Sequence, residues 1–359
     1  MKHLRLNIGL AAIVLFAAAC QTNTTNNTET TTETVKAVKP MIVTEPVVYD
    51  TDDPAIWVNP EDASKSLIVG TDKNEDGALF VFDLEGKIVQ DKVVRGLKRP
   101  NNVDIAYGLK IGGKSVDIAL TGERMTHNMR LFSLPDMQPL DGGGIPVFEG
   151  ETGVEYRDLM GVALYKRPSD GAIFAIMGRK TGPTDGTYLW QYLLEDNGQS
   201  GVKATLVRKF GMFSGNKEIE AIAVDDELGY IYYSDEGVGV RKYYADPEKG
   251  NEELALFATE GFTDDHEGIS IFDTGNGKGF ILVSDQQASQ FKIYPREGSA
   301  TNPHDHTLIE SVLVSTVESD GSEISNVAFN DTFKRGIFVA MSDDKTFQYY
   351  RVEDILPLD

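Results

Sequence analysis

From Met41 onward the apolar residues alternate with polar ones in short runs, and Gly, Asn, Asp and Pro interrupt the runs. A period of two marks strands with one side on a core, and no long stretch carries the 3.6-residue period of a helix. The runs repeat as six units of similar order. The first holds Asp53 to Trp57, Leu67 to Lys73 and Ala78 to Gly86; the second Asn102 to Ala106, Val116 to Arg124 and Arg130 to Leu134. The third holds Met160 to Tyr165, Ala172 to Lys180 and Tyr188 to Tyr192; the fourth Glu220 to Val224, Tyr230 to Glu236 and Val240 to Tyr244. Glu267 to Phe272, Gly279 to Gln286 and Gln290 to Tyr294 make the fifth, and Ile324 to Phe329, Gly336 to Asp343 and Thr346 to Tyr350 the sixth. The units start about 50 to 60 residues apart, close to the longer propeller-blade periods. The pattern predicts an all-β chain folded as a six-bladed β-propeller, with four antiparallel strands per blade around a channel. A strand near Ile42-Val43 is expected to pair with the last blade, closing the ring and hiding its edge.

The first residues break this pattern. Met1 to Arg5 is a charged start, Ile8 to Ala19 is an apolar run too short to span a membrane, and Ala17-Ala18-Ala19-Cys20 resembles a lipoprotein cleavage box. Residues 1–20 therefore read as a signal peptide of an exported protein. It would be anchored to a bacterial membrane, at the outer membrane on its periplasmic or cell-surface face, through lipid on Cys20. Residues 21–39, rich in Thr, Asn and Glu, read as a disordered tether, and 40–359 as the propeller. Cys20 is the single cysteine, so no intrachain disulfide and no thiol nucleophile is expected.

The formal charge of −22, with a pI near 4.6, argues against nucleic acid or an anionic membrane surface as partner. It also repels an anionic substrate, unless cations bind or basic residues cluster. If the six units superpose, their first strands start at one end of the channel. They bring Asp52 and Asp53, Asn102 and Asp104, Asp158, Glu220, Asp265 and Glu267, and Asp320 and Glu323 there. The loops after the second strands return to that end, at Lys73, Arg124, Arg179-Lys180, Glu236, Gln286 and Asp343-Asp344. One mouth then carries a cationic arc opposite a carboxylate arc. Crowded carboxylates raise one another's pKa unless a cation neutralises them. Oxygen donors with few histidines favour calcium over zinc or copper. A single acid of this kind more often caps a turn; the recurrence is what argues for ligation. Arg and Lys at Lys73, Arg124 and Arg179 suit phosphate oxygens, although surface ion pairs with Glu123 or Asp72 are the plainer alternative.

Five motifs in this order add a resemblance: Asp52-Asp53-Pro54-Ala55-Ile56-Trp57, Asn101-Asn102-Val103-Asp104, Glu220 with Ala223 to Gly229, Asp265-His266-Glu267-Gly268, and Gly336 to Ala340. From about Thr44 to Ile355 the chain resembles the β-propeller phytases, the calcium-dependent alkaline phytases. The resemblance implies a 3-phytase-like phosphomonoesterase. Such an enzyme cleaves phytate (myo-inositol hexakisphosphate), taken as a calcium complex, to lower inositol phosphates and phosphate, with several Ca2+ ions at the mouth. Rim pattern and resemblance together assign catalysis to Lys73, Arg124, Arg179, Glu220 and Glu267, and substrate contact to Lys73, Arg124, Arg179, Lys180 and Glu236. They assign calcium to Asp52, Asp53, Asn102, Asp104, Glu220, Asp265, Glu267, Gln286 and Asp320. The chain departs from the family's best-known members at Lys73-Asn74, where they carry two lysines, and at Met160, which takes a tyrosine's place. It departs also at Arg179, or Lys180 if the alignment slips by one, where they carry lysine. His127, His266, His304 and His306 are candidate proton donors by residue type. A monomer is expected. A calcium-dependent propeller lactonase or esterase, or a non-enzymatic surface binding module, are the alternatives that the architecture leaves open.

Overall fold

Nearly every alternating run lies in a strand. The computed structural model describes residues 36–358; the signal peptide, Cys20 and most of the tether lie outside the described residues. Six antiparallel sheets of four strands follow one another along the chain. Blade 1 is Thr51–Trp57, Leu67–Asp72, Gly77–Phe82 and Val94–Leu97; blade 2 is Pro100–Ile111, Lys114–Glu123, Asn128–Leu134 and Ile145–Pro146. Blade 3 is Leu159–Lys166, Ile173–Arg179, Leu189–Asp196 and Val202–Phe210; blade 4 is Ile222–Asp225, Tyr230–Asp235, Gly239–Tyr244 and Ala255–Phe257. Blade 5 is His266–Gly275, Lys278–Asp285, Gln290–Pro295 and Glu310–Leu313. Blade 6 takes Ser322–Ser325, Ile337–Ser342 and Thr346–Arg351 from the end of the chain and Ile42–Val43 from its beginning. Ile42 stands opposite Tyr349 and Val43 opposite Gln348, so the ring closes as expected. The protein is a six-bladed β-propeller.

The second strands are buried on both faces because each blade is packed between two others; Leu67–Asp72 and Ile337–Ser342 are buried at every position. The hydrophobic cores accordingly lie between blades. Ile68, Phe80 and Phe82 of blade 1 meet Val339, Met341 and Phe347 of blade 6, and Ile118 and Leu120 of blade 2 meet Val162 and Met177 of blade 3. Each such side chain stabilises the ring by about 1.5–3 kcal/mol. One expected strand is displaced. The inner strand of blade 6 is Ser322–Ser325, not 324–329, and Phe329 instead lies in a turn, its N–H donated to Phe333 O at 3.0 Å.

Two local devices set the mouth. First, the pairing slips between Thr51 and Pro54, Pro100 and Val103, Leu159 and Val162, and His266 and Ile269. These β-bulges re-aim the side chains at the start of four inner strands. Second, two glycines let neighbouring backbones close in. A Cβ on Gly161 would lie 2.2 Å from Glu220 O, and one on Gly321 would lie 2.3 Å from Asp53 Oδ1.

Candidate active site

At the end of each second strand the next residue reaches back to the segment leading into the inner strand. Its N–H donates to that segment's carbonyl: Lys73 to Asp50 at 2.7 Å, Arg124 to Arg99 at 3.1 Å and Lys180 to Asp158 at 2.7 Å. Glu236 to Glu218 at 3.2 Å and Asp343 to Val317 at 3.0 Å repeat it. This shared bond makes Lys73, Arg124, Lys180, Glu236 and Asp343 equivalent rim residues, with Gln286 following the same strand end in blade 5. Basic residues occupy blades 1 to 3, and acids or an amide blades 4 to 6, as the sequence predicts.

The same alignment corrects one expectation. Arg179 is the last residue of its strand, paired with Leu159, and corresponds to Asp72, Glu123, Asp235 and Asp285 in the other blades. Those side chains point into the blade, where Asp72 accepts from the N–H groups of Tyr49 and Asp50 and Asp235 from that of Ser214. Arg179 is 0% exposed. Its Nε donates to Tyr188 O at 2.9 Å, Nη1 to Glu151 Oε2 at 2.9 Å and Tyr156 O at 3.1 Å, and Nη2 to Thr187 O at 3.1 Å. Phe148 stacks beneath it, 4.5 Å from ring centroid to guanidinium. A cation so enclosed, with its donors committed, is a structural residue and has nothing left for phosphate. Lys180, half-buried, holds the rim position of blade 3 instead.

The carboxylates meet where the rim turns inward. Lys73 Nζ contacts Asp52 Oδ1 and lies 3.4 Å from Asp320 Oδ2. Asn101 Nδ2 donates to Glu220 Oε1 at 2.8 Å and to Asp52 Oδ2 at 3.4 Å, and Gln286 Nε2 contacts Asp320. Carboxylate oxygens of Glu218, Glu220 and Glu236 all lie within 4.8 Å of one another, a grouping able to hold a metal ion. Asp265 is drawn to Lys217 and accepts from Gln287 Nε2 at 2.8 Å. Arg124 flanks the group at 9% exposure, its Nε donating to Leu159 O at 3.2 Å and its Nη2 against the Met160 sulfur.

Burial raises the Glu220 carboxyl to about 8, with Asp52 adding to the effect, and raises Glu236 to about 9, with Glu220 adding to it. Asp320 is pushed up to about 7 by burial and then Asp52; Glu267 goes well above the usual range through burial and then Glu220 and Glu236. Burial works against the Lys73 charge, but Asp52, Glu220 and Asp320 outweigh it and hold the ammonium protonated. Asn101 Oδ1, Glu218 Oε2, Glu236 Oε1 and Glu267 Oε2 are buried oxygens with no donor among the described residues. Hard, crowded, donor-starved oxygens fit a calcium-like cation.

Three expected metal ligands stand elsewhere. Asp53 Oδ2 accepts from Val103 N–H at 3.1 Å, and Asp104 accepts from Leu164 and Ile105 N–H, both at 2.6 Å. With Asn102 and Glu323 they line a cavity of about 100 Å³ inside the channel. Asp53 and Asp104 thus stitch blade 1 to blade 2 and blade 2 to blade 3. Asn101 bonds to the mouth carboxylates through Nδ2, and Asn102 Oδ1, like Asn101 Oδ1, is a buried oxygen with no donor among the described residues. Glu218 and Asn101 were not among the assigned residues; Glu218 stands where Asp50, Arg99, Asp158 and Val317 stand in other blades, and because the residue type varies there, its approach to Glu236 is what discloses it. Of the histidines, His266 is buried, stacked on Phe262 and bonded through Nε2 to Ala258 O at 2.7 Å. His306 is held between Lys242 and Pro295 O and has Tyr232 beside it, with His304 against Tyr230. His127 lies on the rim side, Nδ1 2.8 Å from Arg157 O.

The Phytase family model matches residues 2–353. The chain is 28% identical to the 3-phytase of Bacillus subtilis (strain 168) over 299 residues, which is 82% of this chain and 74% of that protein. Among solved structures it is similar to the Dos1 propeller, with a TM-score of 0.42 and 11% identity over 84% of this chain and 67% of that one.

Proposed function

This chain belongs to the phytase family and is a phytase, and we propose that it cleaves phytate with calcium ions held at the mouth, leaving lower inositol phosphates. The observation that carries the reading is the meeting of Lys73 and Arg124 with buried, donor-starved carboxylates at one opening, with Lys180 on the same rim. Asp52, Glu218, Glu220, Glu236, Asp265, Glu267, Gln286 and Asp320, with Asn101 Oδ1, are the residues that would hold cations. Bound calcium would neutralise the acids, polarise a phosphoryl group and acidify a bound water.

The chain's own cations do the rest. Lys73 and Arg124 donate to phosphoryl oxygens and gain strength as charge grows there in the transition state, in a site that shields them from water. Lys180 has no ion-pair partner among the described residues and is free to take a further phosphate. His127 on the rim holds its Nδ1 2.8 Å from Arg157 O, and water is taken as the phosphoryl acceptor: the new P–O bond forms from water, and the ester oxygen leaves with the electron pair and takes a proton. The decisive experiment is phosphate release from phytate with calcium and after exhaustive chelation, beside an aryl phosphate and a lactone. Full activity without calcium defeats the metal reading, and cleavage of the lactone instead of phytate defeats the hydrolytic one. Action as a monomer on the calcium complex of phytate, and export with a lipid on Cys20, belong to the same proposal; Cys20→Ser should then abolish incorporation of a labelled fatty acid.

A further inference from the structure

Arg99 stands in the turn between the outer strand of blade 1, Val94–Leu97, and the inner strand of blade 2, Pro100–Ile111. Two backbone bonds fix it there. Its N–H donates to Asn74 O at 2.8 Å, next to Lys73, and its carbonyl accepts from the Arg124 N–H at 3.1 Å. It is thus spliced between the rim residues of blades 1 and 2. Its φ of 58° is left-handed, an unusual conformation for a residue with a side chain. The guanidinium is half-buried and has no hydrogen-bond, ion-pair or ring partner among the described residues. Its neighbours differ: Arg95 lies over the Phe80 ring, Arg130 binds Asp141 and Glu123, and Arg124 bonds to Leu159 O.

Burial and then the Arg99 charge both bear on Arg124, lowering its pKa. An unpartnered guanidinium whose own backbone is bonded to that of the rim residue Arg124, in a chain of net charge −22, suits an anion. The planar forks of Arg99 and Arg124 match the oxygens of a phosphate ester. We propose that Arg99 is a further phosphate-binding residue, closing with Arg124 a two-guanidinium clamp on one phosphate group of the substrate. The assignment rests on the reading of the mouth as a phytate site.

The test uses the calcium-loaded full chain and a substrate mimic that this reaction does not cleave, myo-inositol hexakissulfate, followed by titration calorimetry. Glycine suits the left-handed backbone, so Arg99→Gly should fold with an unchanged melting midpoint in the absence of ligand. It should weaken binding of the mimic about tenfold or more, whereas Arg99→Lys, which keeps charge but loses the fork, should weaken it less. Equal affinity in Arg99→Gly and the parent chain overturns the clamp, as does an equal loss in the glycine and lysine variants. If the parent chain releases no phosphate from phytate yet binds the mimic in an Arg99-dependent way, the hydrolytic reading falls and the clamp stands. If phytate is cleaved and binding ignores Arg99, the clamp falls and the phytase site stands.

Discussion

Two groups of buried carboxylates lie within one channel, and they are solved in opposite ways. Burial raises Asp104 in the wall to about 7 and Glu323 to about 8, much as it raises Glu220 at the mouth to about 8. In the wall, Asp53 and Asp104 receive backbone N–H groups from the next blade, and Glu323 Oε1 receives that of Ile324 at 2.8 Å. At the mouth, Glu236 Oε1 and Glu267 Oε2 receive nothing, and their nearest charged neighbours include other carboxylates. Desolvation alone therefore does not mark a site. What marks it is an acid whose missing partner the fold does not supply.

The sharpest way to break this contrast is Glu220→Gln. Phosphate release should fall about 10²- to 10³-fold, since the group that holds transition-state electrostatics is gone. The metal-free protein should melt no lower than its parent, because a repelled carboxylate has been removed. A clear fall in the metal-free melting midpoint would place Glu220 with the wall acids. The second test separates Arg179 from Lys180. Arg179→Ala leaves Glu151 and three carbonyls without their donor and should cost about 3–5 kcal/mol in denaturant unfolding. Lys180→Ala should change stability by less than about 0.5 kcal/mol and raise KM for phytate. Reversed outcomes would return Arg179 to the substrate.

A third test is pH. The Glu220 and Glu236 carboxyls are near 8 and 9 when folded, above an unfolded value of about 4.3. Between those values the unfolded chain binds fewer protons than the folded one, so metal-free stability falls as pH rises. Calcium removes that penalty, and the calcium-induced rise in Tm should be larger at pH 8 than at pH 6. A rise that shrinks with pH would mean that the acids are ionised and paired without metal.

The blades were legible because alternation survives in every unit, and the rim cations were legible as a position. The one-residue choice between Arg179 and Lys180 was not, since both are basic and only the pairing of Leu159 with Arg179 decides it. The bulges at four inner strands defeat period-two reasoning at the places where ligands cluster, which is why Asn101 was passed over beside Asn102. In blade 6 the apolar Val327 and Phe329 drew the strand forward, whereas the paired residues are the more polar Ser322–Ser325. Glu218 shares its repeat position with Asp50, Arg99, Asp158 and Val317, but no residue type recurs there, and proximity in space is its clearer signal.

The smallest expected effect tests the wall. Asp104→Asn keeps one acceptor for Leu164 or Ile105 N–H but turns an NH2 toward the other, leaving that donor unsatisfied. The cost should be about 1–3 kcal/mol, less than that of Arg179→Ala, and phosphate release should stay within about twofold. Its pH dependence carries a sign. The Asp104 carboxyl near 7 makes the parent lose stability as pH rises toward and past 7, while asparagine does not titrate. The gap between parent and variant should therefore narrow from pH 6 to pH 8. If Asp104→Asn instead loses its calcium response at undiminished stability, this carboxylate is a ligand after all, and wall and mouth form one site.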